Sequence, residues 1–362
     1  MLAPIMTTTN RTMTPSDLGF PANVPLPERS DWRIGIIGLG GISGAHIPAY
    51  RSAGWNVVAA ADIDPERRAH ASSAHGIPRV YEDYRDVIAD GDVEIVSLLT
   101  HPTLREPVVR AAAEAGKPLL TEKPLAPNVE ECERIVAIAE DAGIPFAVSQ
   151  NYRWHPGNFY ARHIVERGLI GAPYLVSIEI FGTQDVDVAG NAFYSQCDDF
   201  LTVQWNTHMV DLMRSWTGRD ARRVLARTGR MNGQTFASDM ILVSIADFGE
   251  GLTGHVLHAE LLRSSMTFSR CRVEGDAGSI VFAPWGAGLE FESKELGEGV
   301  VSLQVDESAF LSSFCGPMGE LLISIEQGRE SATSARRNLA TMRHVLAEDQ
   351  SAREGGVWVA CG

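Results

Sequence analysis

A chain of 362 residues, 44% of them hydrophobic and 21% charged, has room for two domains and can bury enough apolar surface to fold without disulfides or a structural metal. Its 31 Lys and Arg stand against 46 Asp and Glu, a net charge of −15, which argues against non-specific binding to nucleic acid or to an anionic membrane. No apolar run approaches the ~20 residues of a membrane span. The five cysteines (Cys132, Cys197, Cys271, Cys315 and Cys361) are scattered and form no C-x-x-C pair. They fit a reducing cytoplasm, and no secretory signal is expected, because no charged segment leads into an apolar one at the start.

Residues 1–31 carry Pro4, Pro15, Pro21, Pro25 and Pro27 and show no period. An extended N-terminal arm is expected there, disordered or laid over a neighbouring surface, with no element of the next domain before Trp32. From Trp32 on, short apolar strands at 34–37, 56–61, 93–99, 118–121 and 145–149 alternate with helices. Asp64-Pro65-Glu66 reads as a capped helix start, and Gly116 and Gly143 as helix stops. This alternation builds a parallel sheet from βαβ units over residues 32–150. After about residue 150 the rhythm breaks. Helices are expected at 157–168 and 200–217, and strands at 174–181, 222–228, 240–248, 252–262, 267–274 and 279–282. Two helices, 307–328 and 335–350, close the chain. Strands in runs and helices in runs indicate an α+β domain over 151–362 with a large, mostly antiparallel sheet, whose last helices can pack back on the first domain.

Gly38-Leu39-Gly40-Gly41-Ile42-Ser43-Gly44 lies between the first strand and a helix. G-x-G lets the chain turn tightly and lets a pyrophosphate approach the backbone, and the helix N-terminus supplies amide donors. Ser43 takes the sixth position of the fingerprint, where a glycine or alanine is usual. Asp62 follows at the end of the second strand, 24 positions after Gly38 and close to the ~20 expected of the carboxylate that accepts from the ribose hydroxyls. The first domain is therefore read as a Rossmann dinucleotide-binding domain, selecting NAD through Asp62; Arg67 and Arg68 keep NADP open. Glu122-Lys123-Pro124 follows the fourth strand, where ligands of open α/β sheets bind, so Lys123 is expected to point towards that cleft. His255 and His258 are three apart on a strand and face opposite ways, and no other spacing reads as a metal site.

These stretches, GIIGLGGISGAH, AADIDPERR, AAAEAGKPLLTEKPLA, VSQNYRWHP, THMVDLMRSWTG and ELLISIEQGRESATS, resemble the glucose–fructose oxidoreductase, inositol dehydrogenase and rhizopine catabolism (Gfo/Idh/MocA) family over the whole chain after the arm. The resemblance implies NAD(P)-dependent oxidation of a secondary alcohol of a sugar, sugar derivative or cyclitol. It also implies an open C-terminal sheet that often forms the interface of a homodimer or homotetramer. Lys123 matches the family lysine beside the nicotinamide and substrate, where burial and the cationic ring lower a lysine pKa towards that of a general base. His208 matches a second catalytic histidine, four residues after an Asp that is Gln204 here. Cofactor contacts are expected from Gly38, Gly40, Gly41, Ile42, Ser43, Asp62, Thr100, His101 and Glu122, and substrate contacts from Tyr152, Arg153, Gln204 and Asn206, with the hinge the favoured reading of Arg153. Gln204 can hydrogen-bond a hydroxyl but cannot take its proton, which leaves two rivals to a dehydrogenase. One is an enzyme using bound NAD transiently for a lyase or glycosidase-type elimination; the other is a non-catalytic NAD-binding regulator.

Overall fold

The structure, a computed structural model, describes residues 10–187, 190–286 and 288–362. In chain order the strands are β1 (Arg11–Met13), β2 (Arg33–Ile37), β3 (Asn56–Ala61), β4 (Arg79–Tyr81), β5 (Ile95–Leu98), β6 (Leu119–Thr121), β7 (Phe146–Val148), β8 (Pro173–Phe181), β9 (Arg223–Gly229), β10 (Ile241–Gly249), β11 (Leu252–Ala259), β12 (Phe268–Gly275), β13 (Gly278–Phe282), β14 (Leu289–Ser293), β15 (Gly297–Leu303) and β16 (Val359–Ala360). The α-helices are α1 (Ser43–Ser52), α2 (Pro65–His75), α3 (Tyr84–Ala89), α4 (Arg105–Glu114), α5 (Val129–Asp141), α6 (Pro156–Glu166), α7 (Gln184–Asp187), α8 (Ala192–Gln196), α9 (Thr207–Thr217), α10 (Cys315–Gln327) and α11 (Ala335–Arg353). Two compact units result. One comprises Asn23–Trp154 and Leu311–Arg343; the other comprises the residues up to Ala22, His155–Phe310 and His344–Gly362.

The first unit holds a six-stranded sheet in the order β4-β3-β2-β5-β6-β7, parallel throughout. All four residues of β5 are buried, as expected of a parallel strand covered on both faces. α2 starts where the sequence places it: Asp64 accepts from the Glu66 amide at 2.9 Å, with Pro65 in the first turn. α10 completes this core. Met318, Leu321 and Leu322 join Ile47, Tyr50 and Trp55 in one buried cluster, each such side chain contributing about 1.5–3 kcal/mol by burial. α10 starts at Cys315, later than the expected 307, because Asp306 turns the chain first, accepting from the Ser308 amide at 3.0 Å.

The second unit is built on a ten-stranded sheet in the order β1-β15-β14-β13-β12-β8-β11-β10-β9-β16. Only β1–β15 and β8–β11 pair in parallel among these strands. Val176, Ile178 and Ile180 of β8 are buried on one face. α9 packs against β8 and α6, and Trp216 of α9 donates to the Asn158 carbonyl of α6 at 3.3 Å. The other face leaves Val243, Ile245 and Phe268 exposed. β14 and β15 were missed by the sequence reading, although Leu289, Phe291 and Ser293 alternate buried with exposed Glu290 and Glu292.

The described part of the arm, from residue 10, is ordered, and it divides between the units. β1 adds to the edge of the ten-stranded sheet, Pro15 and Leu18 are buried, and the Tyr160 hydroxyl donates to the Pro21 carbonyl at 2.9 Å. Residues 23–31 belong to the parallel-sheet unit. Val24 is buried, and Arg29 forks onto Glu94 at 2.8 and 2.7 Å while the Glu28 and Arg29 amides donate to Glu326. No strand or helix lies in residues 23–31, yet the segment packs into this unit. These residues are held by side chains and amides rather than by a periodic element.

Candidate active site

The glycine turn closes β2. Gly38 has φ +97°, and a Cβ there would lie 3.1 Å from the Leu99 carbonyl carbon and 3.2 Å from Thr100 Cγ2, so only glycine fits. At Gly41 a Cβ would meet nothing within 4 Å, and at Gly40 only the Arg67 guanidinium at 3.8 Å; the turn borders open space. α1 starts with no side-chain cap, the condition under which a helix N-terminus serves an anion. The Ser43 hydroxyl is turned back onto the Gly40 carbonyl at 2.7 Å, and Ile42 beside it is exposed.

Asp62 ties the end of β3 to this turn. One carboxylate oxygen accepts from the Leu39 amide at 2.7 Å and the other from the Asp64 amide at 2.9 Å, and each retains a lone pair for a ribose hydroxyl. Arg67 reaches Asp62 at 3.7 Å. Arg68 is committed to the Asp62 and Ile63 carbonyls at 2.8 and 3.0 Å. Thr100 follows β5, and its Oγ1 is buried with no hydrogen-bond partner among the described residues. His101 opens a 3₁₀ turn (Pro102–Leu104); desolvation, then Arg105 and Arg67, hold its imidazole below the usual range. An open glycine cradle, an uncapped helix start, a ribose-type carboxylate and an orphaned hydroxyl are the features a dinucleotide requires.

Glu122-Lys123-Pro124 follows β6, and the Lys123–Pro124 peptide is cis. Lys123 is half-buried. Burial lowers its amine pKa, Glu122 opposes the shift and Arg105 reinforces it, with a net lowering. The Glu122 oxygens are engaged within the protein: one faces His46 Nε2 at 2.7 Å and the other accepts from the Lys123 amide at 3.2 Å. Burial works to raise the Glu122 carboxyl, but His46, Lys123 and Ser149 outweigh it and hold the group below the carboxylate range. His46 also meets the Tyr50 hydroxyl at 2.8 Å, which meets Ser97 at 2.9 Å. Sequence reading missed His46, since nothing in local spacing links it to Glu122. Tyr152 and Arg153 lie on a 3₁₀ turn after β7, where buried Arg153 donates to the Ala332 carbonyl at 3.1 Å. That bond gives Arg153 a structural tie.

In the ten-stranded unit, a π-helical turn (Phe200–Trp205) precedes α9 and carries Gln204, a geometry common at functional sites. Gln204, Asn206 and His208 are all buried. Gln204 hydrogen-bonds Asp199, whose carboxyl is raised by burial, with Cys197 and Gln204 pulling against the rise and Asp349 and Asp198 adding to it. Asn206 is fully buried; its amide donates to Glu348 at 2.6 Å, and its Oδ1 is buried with no hydrogen-bond partner among the described residues. His344 lies 3.4 Å from the other Glu348 oxygen. A second buried pair, His258 and Glu260, meets at 2.8 Å. Among the described residues no group of three or more His, Cys, Asp or Glu could hold a metal ion, and no helix is long and apolar enough to cross a membrane.

Two family profiles match the chain: "Oxidoreductase family, NAD-binding Rossmann fold" over residues 32–150 and "GFO/IDH/MocA C-terminal domain" over residues 160–281. The chain belongs to the Gfo/Idh/MocA oxidoreductase family, and its parallel-sheet unit is an NAD-binding Rossmann domain. It is 27% identical over 331 residues to D-apiose dehydrogenase of Paraburkholderia graminis, covering 88% of this chain and 87% of that protein. It is 26% identical over 322 residues to levoglucosan dehydrogenase of Pseudarthrobacter phenanthrenivorans, covering 78% and 80%. An oxidoreductase from Agrobacterium radiobacter, crystallised with NAD+, L-tartaric acid and magnesium, shares the fold with a TM-score of 0.83 at 24% identity, over 92% of this chain and 99% of that one.

Proposed function

We propose that the protein is an NAD-dependent dehydrogenase oxidising a secondary alcohol of a sugar, a sugar derivative or a cyclitol, with Lys123 taking the hydroxyl proton. The observation that carries this reading is the setting of Lys123. It leaves the carboxyl end of β6, in the sheet whose neighbouring strand ends carry the glycine turn, Asp62 and Thr100. Burial and Arg105 hold its amine below the usual lysine value, so that it can be neutral and act as a general base.

NAD, when bound, supplies the hydride acceptor. Gly38, Gly40 and Gly41 keep the turn clear for its pyrophosphate, Asp62 accepts from the ribose hydroxyls and disfavours a 2′-phosphate, and Thr100 Oγ1 supplies a further polar contact. Ile42, Ser43 and His101 flank that path. Glu122 keeps its place as a neighbour of Lys123 that tempers the amine's pKa, more than as a direct contact. His208 is the second proton-handling group, and Gln204 and Tyr152 are the substrate-orienting side chains. Gln204 cannot accept a proton, so the proton burden falls on Lys123 and His208. Relatives named for apiose and levoglucosan oxidation support the substrate class. The exposed Val243, Ile245 and Phe268 support a homodimer or homotetramer joined through the open sheet face, and reduced, dispersed cysteines support a cytoplasmic location.

The test is a screen of the purified protein against pentoses, hexoses, anhydrosugars, sugar acids and inositols with NAD, read as NADH absorbance. Turnover on at least one secondary alcohol is expected. Binding of NAD with no oxidation of any of them would favour a regulator.

A further inference from the structure

Arg105, the first residue of α4, is 1% exposed. Both terminal nitrogens of its guanidinium are spent on backbone carbonyls, while Nε is buried with no partner among the described residues. One terminal nitrogen donates to the carbonyls of Pro124 and of Leu125, the latter at 3.1 Å, and the other donates to the carbonyl of Thr100 at 3.2 Å. Thr100 follows β5 and Pro124 follows β6, and these strands are adjacent, with Leu98 paired to Thr121. One planar fork therefore spans the two loops at the carboxyl ends of neighbouring parallel strands, the end of the sheet where ligands bind. One loop carries Thr100 and His101; the other carries Lys123. Burying an arginine is expensive unless its donors are satisfied, and a lysine's point charge cannot bridge two such loops in a fixed plane.

We propose that Arg105 is a positioning residue, whose buried fork fixes the distance and orientation of the Lys123 turn relative to the Thr100 loop. This rests on the reading of Lys123 as the base. The charge of Arg105 contributes as well. Burial pulls its own pKa down to about 10, with Glu122 and Cys132 opposing, and the cation pushes Lys123 towards its neutral form. The other charged or titrating groups around the turn are Glu122, its partner His46, His101 and Cys132.

Two variants separate the fork from the charge, measured on the best substrate from the screen with the wild type and Lys123→Met alongside. Arg105→Lys keeps the cation and loses the fork. Its kcat should fall roughly 10- to 100-fold, the scale of an ångström-sized misplacement, with the alkaline rise of the kcat–pH profile unmoved. Arg105→Met loses both, so the remaining activity should also rise at higher pH than in the wild type. The glycine turn and Asp62 are untouched and only the Thr100 contact is loosened, so the NAD dissociation constant should rise by a smaller factor than kcat falls. Should Arg105→Met fail to fold, Arg105→Lys alone decides. Wild-type kcat in Arg105→Lys, or a lower melting temperature with kcat and pH profile intact, overturns the positioning role. If Lys123→Met keeps the wild-type profile, it is the base assignment that fails, and the kcat of Arg105→Lys still decides whether the fork matters.

Discussion

The two units build their polar sites in different ways. In the Rossmann unit the chemistry sits at consecutive strand ends, and each piece is local: Gly38 to Ser43 after β2, Asp62 after β3, Thr100 after β5 and Lys123 after β6. In the ten-stranded unit buried polar groups meet from distant stretches, with Asn206 on Glu348, Thr202 on Asp349 and the Ala226 amide on Ser351. A site made of strand-end turns is written as short motifs. A site made of helix and sheet faces is held by partners that the sequence does not mark.

The largest effect should come from the local site. Lys123→Met keeps the stem and removes the amine, and kcat should drop by about 10²–10⁴-fold, the usual share of general acid–base catalysis, while NAD affinity stays within a few-fold. The sign of the pH dependence follows from the same group. A base must be unprotonated, so kcat should rise with pH through the Lys123 pKa, at a pH below that of an ordinary lysine. Glu122 raises that pKa, so Glu122→Gln should move the rise to still lower pH; a rise moved upward in a pH–rate series would contradict this.

Next in size are the core and the distant polar cluster. Leu322→Ala in α10 empties part of the Rossmann core and should cost about 2–5 kcal/mol, read by urea unfolding; a loss under 1 kcal/mol would remove α10 from that core. Glu348→Ala strands the buried Asn206 amide, which should cost about 1–3 kcal/mol. Its activity should recover in Glu348→Gln if the amide of Asn206 needs only an acceptor. Equal losses in both variants would mean that the charge matters. The smallest expected change is in cofactor choice. Asp62→Ala should narrow the preference of kcat/KM for NAD over NADP, because the carboxylate that repels a 2′-phosphate is gone while Arg67 stays beside the turn. A wild type preferring NADP would reject the role given to Asp62.

How far the sequence reaches follows from the same contrast. The βαβ alternation, the G-x-G turn, the Asp64 cap and the E-K-P turn are all visible because each is a dihedral or capping requirement of a few neighbouring residues. The short amphipathic strands β14 and β15 carried a legible signal in Leu289, Phe291 and their charged neighbours, and the alternation was overlooked among turn-forming glycines. His46 and Arg105 carried none: their partners lie 76 and about 20 positions away, and nothing in a lone His or Arg on a helix announces a buried bond. Between a disordered arm and one laid over a neighbouring surface the sequence cannot choose: proline content reports the loss of periodic hydrogen bonds, while Arg29 on Glu94 and Tyr160 on Pro21 are tertiary.

The central claim is that this site performs net hydride transfer from a carbohydrate alcohol to NAD. It is tested most directly by counting NADH against oxidised product in the same reaction, with purified enzyme, the best substrate from the screen and excess NAD. The account predicts one NADH for each ketone formed, and the loss of both together in Lys123→Met. Product accumulating with no net NADH would contradict it and identify an enzyme that oxidises its substrate only in passing, on the way to an elimination.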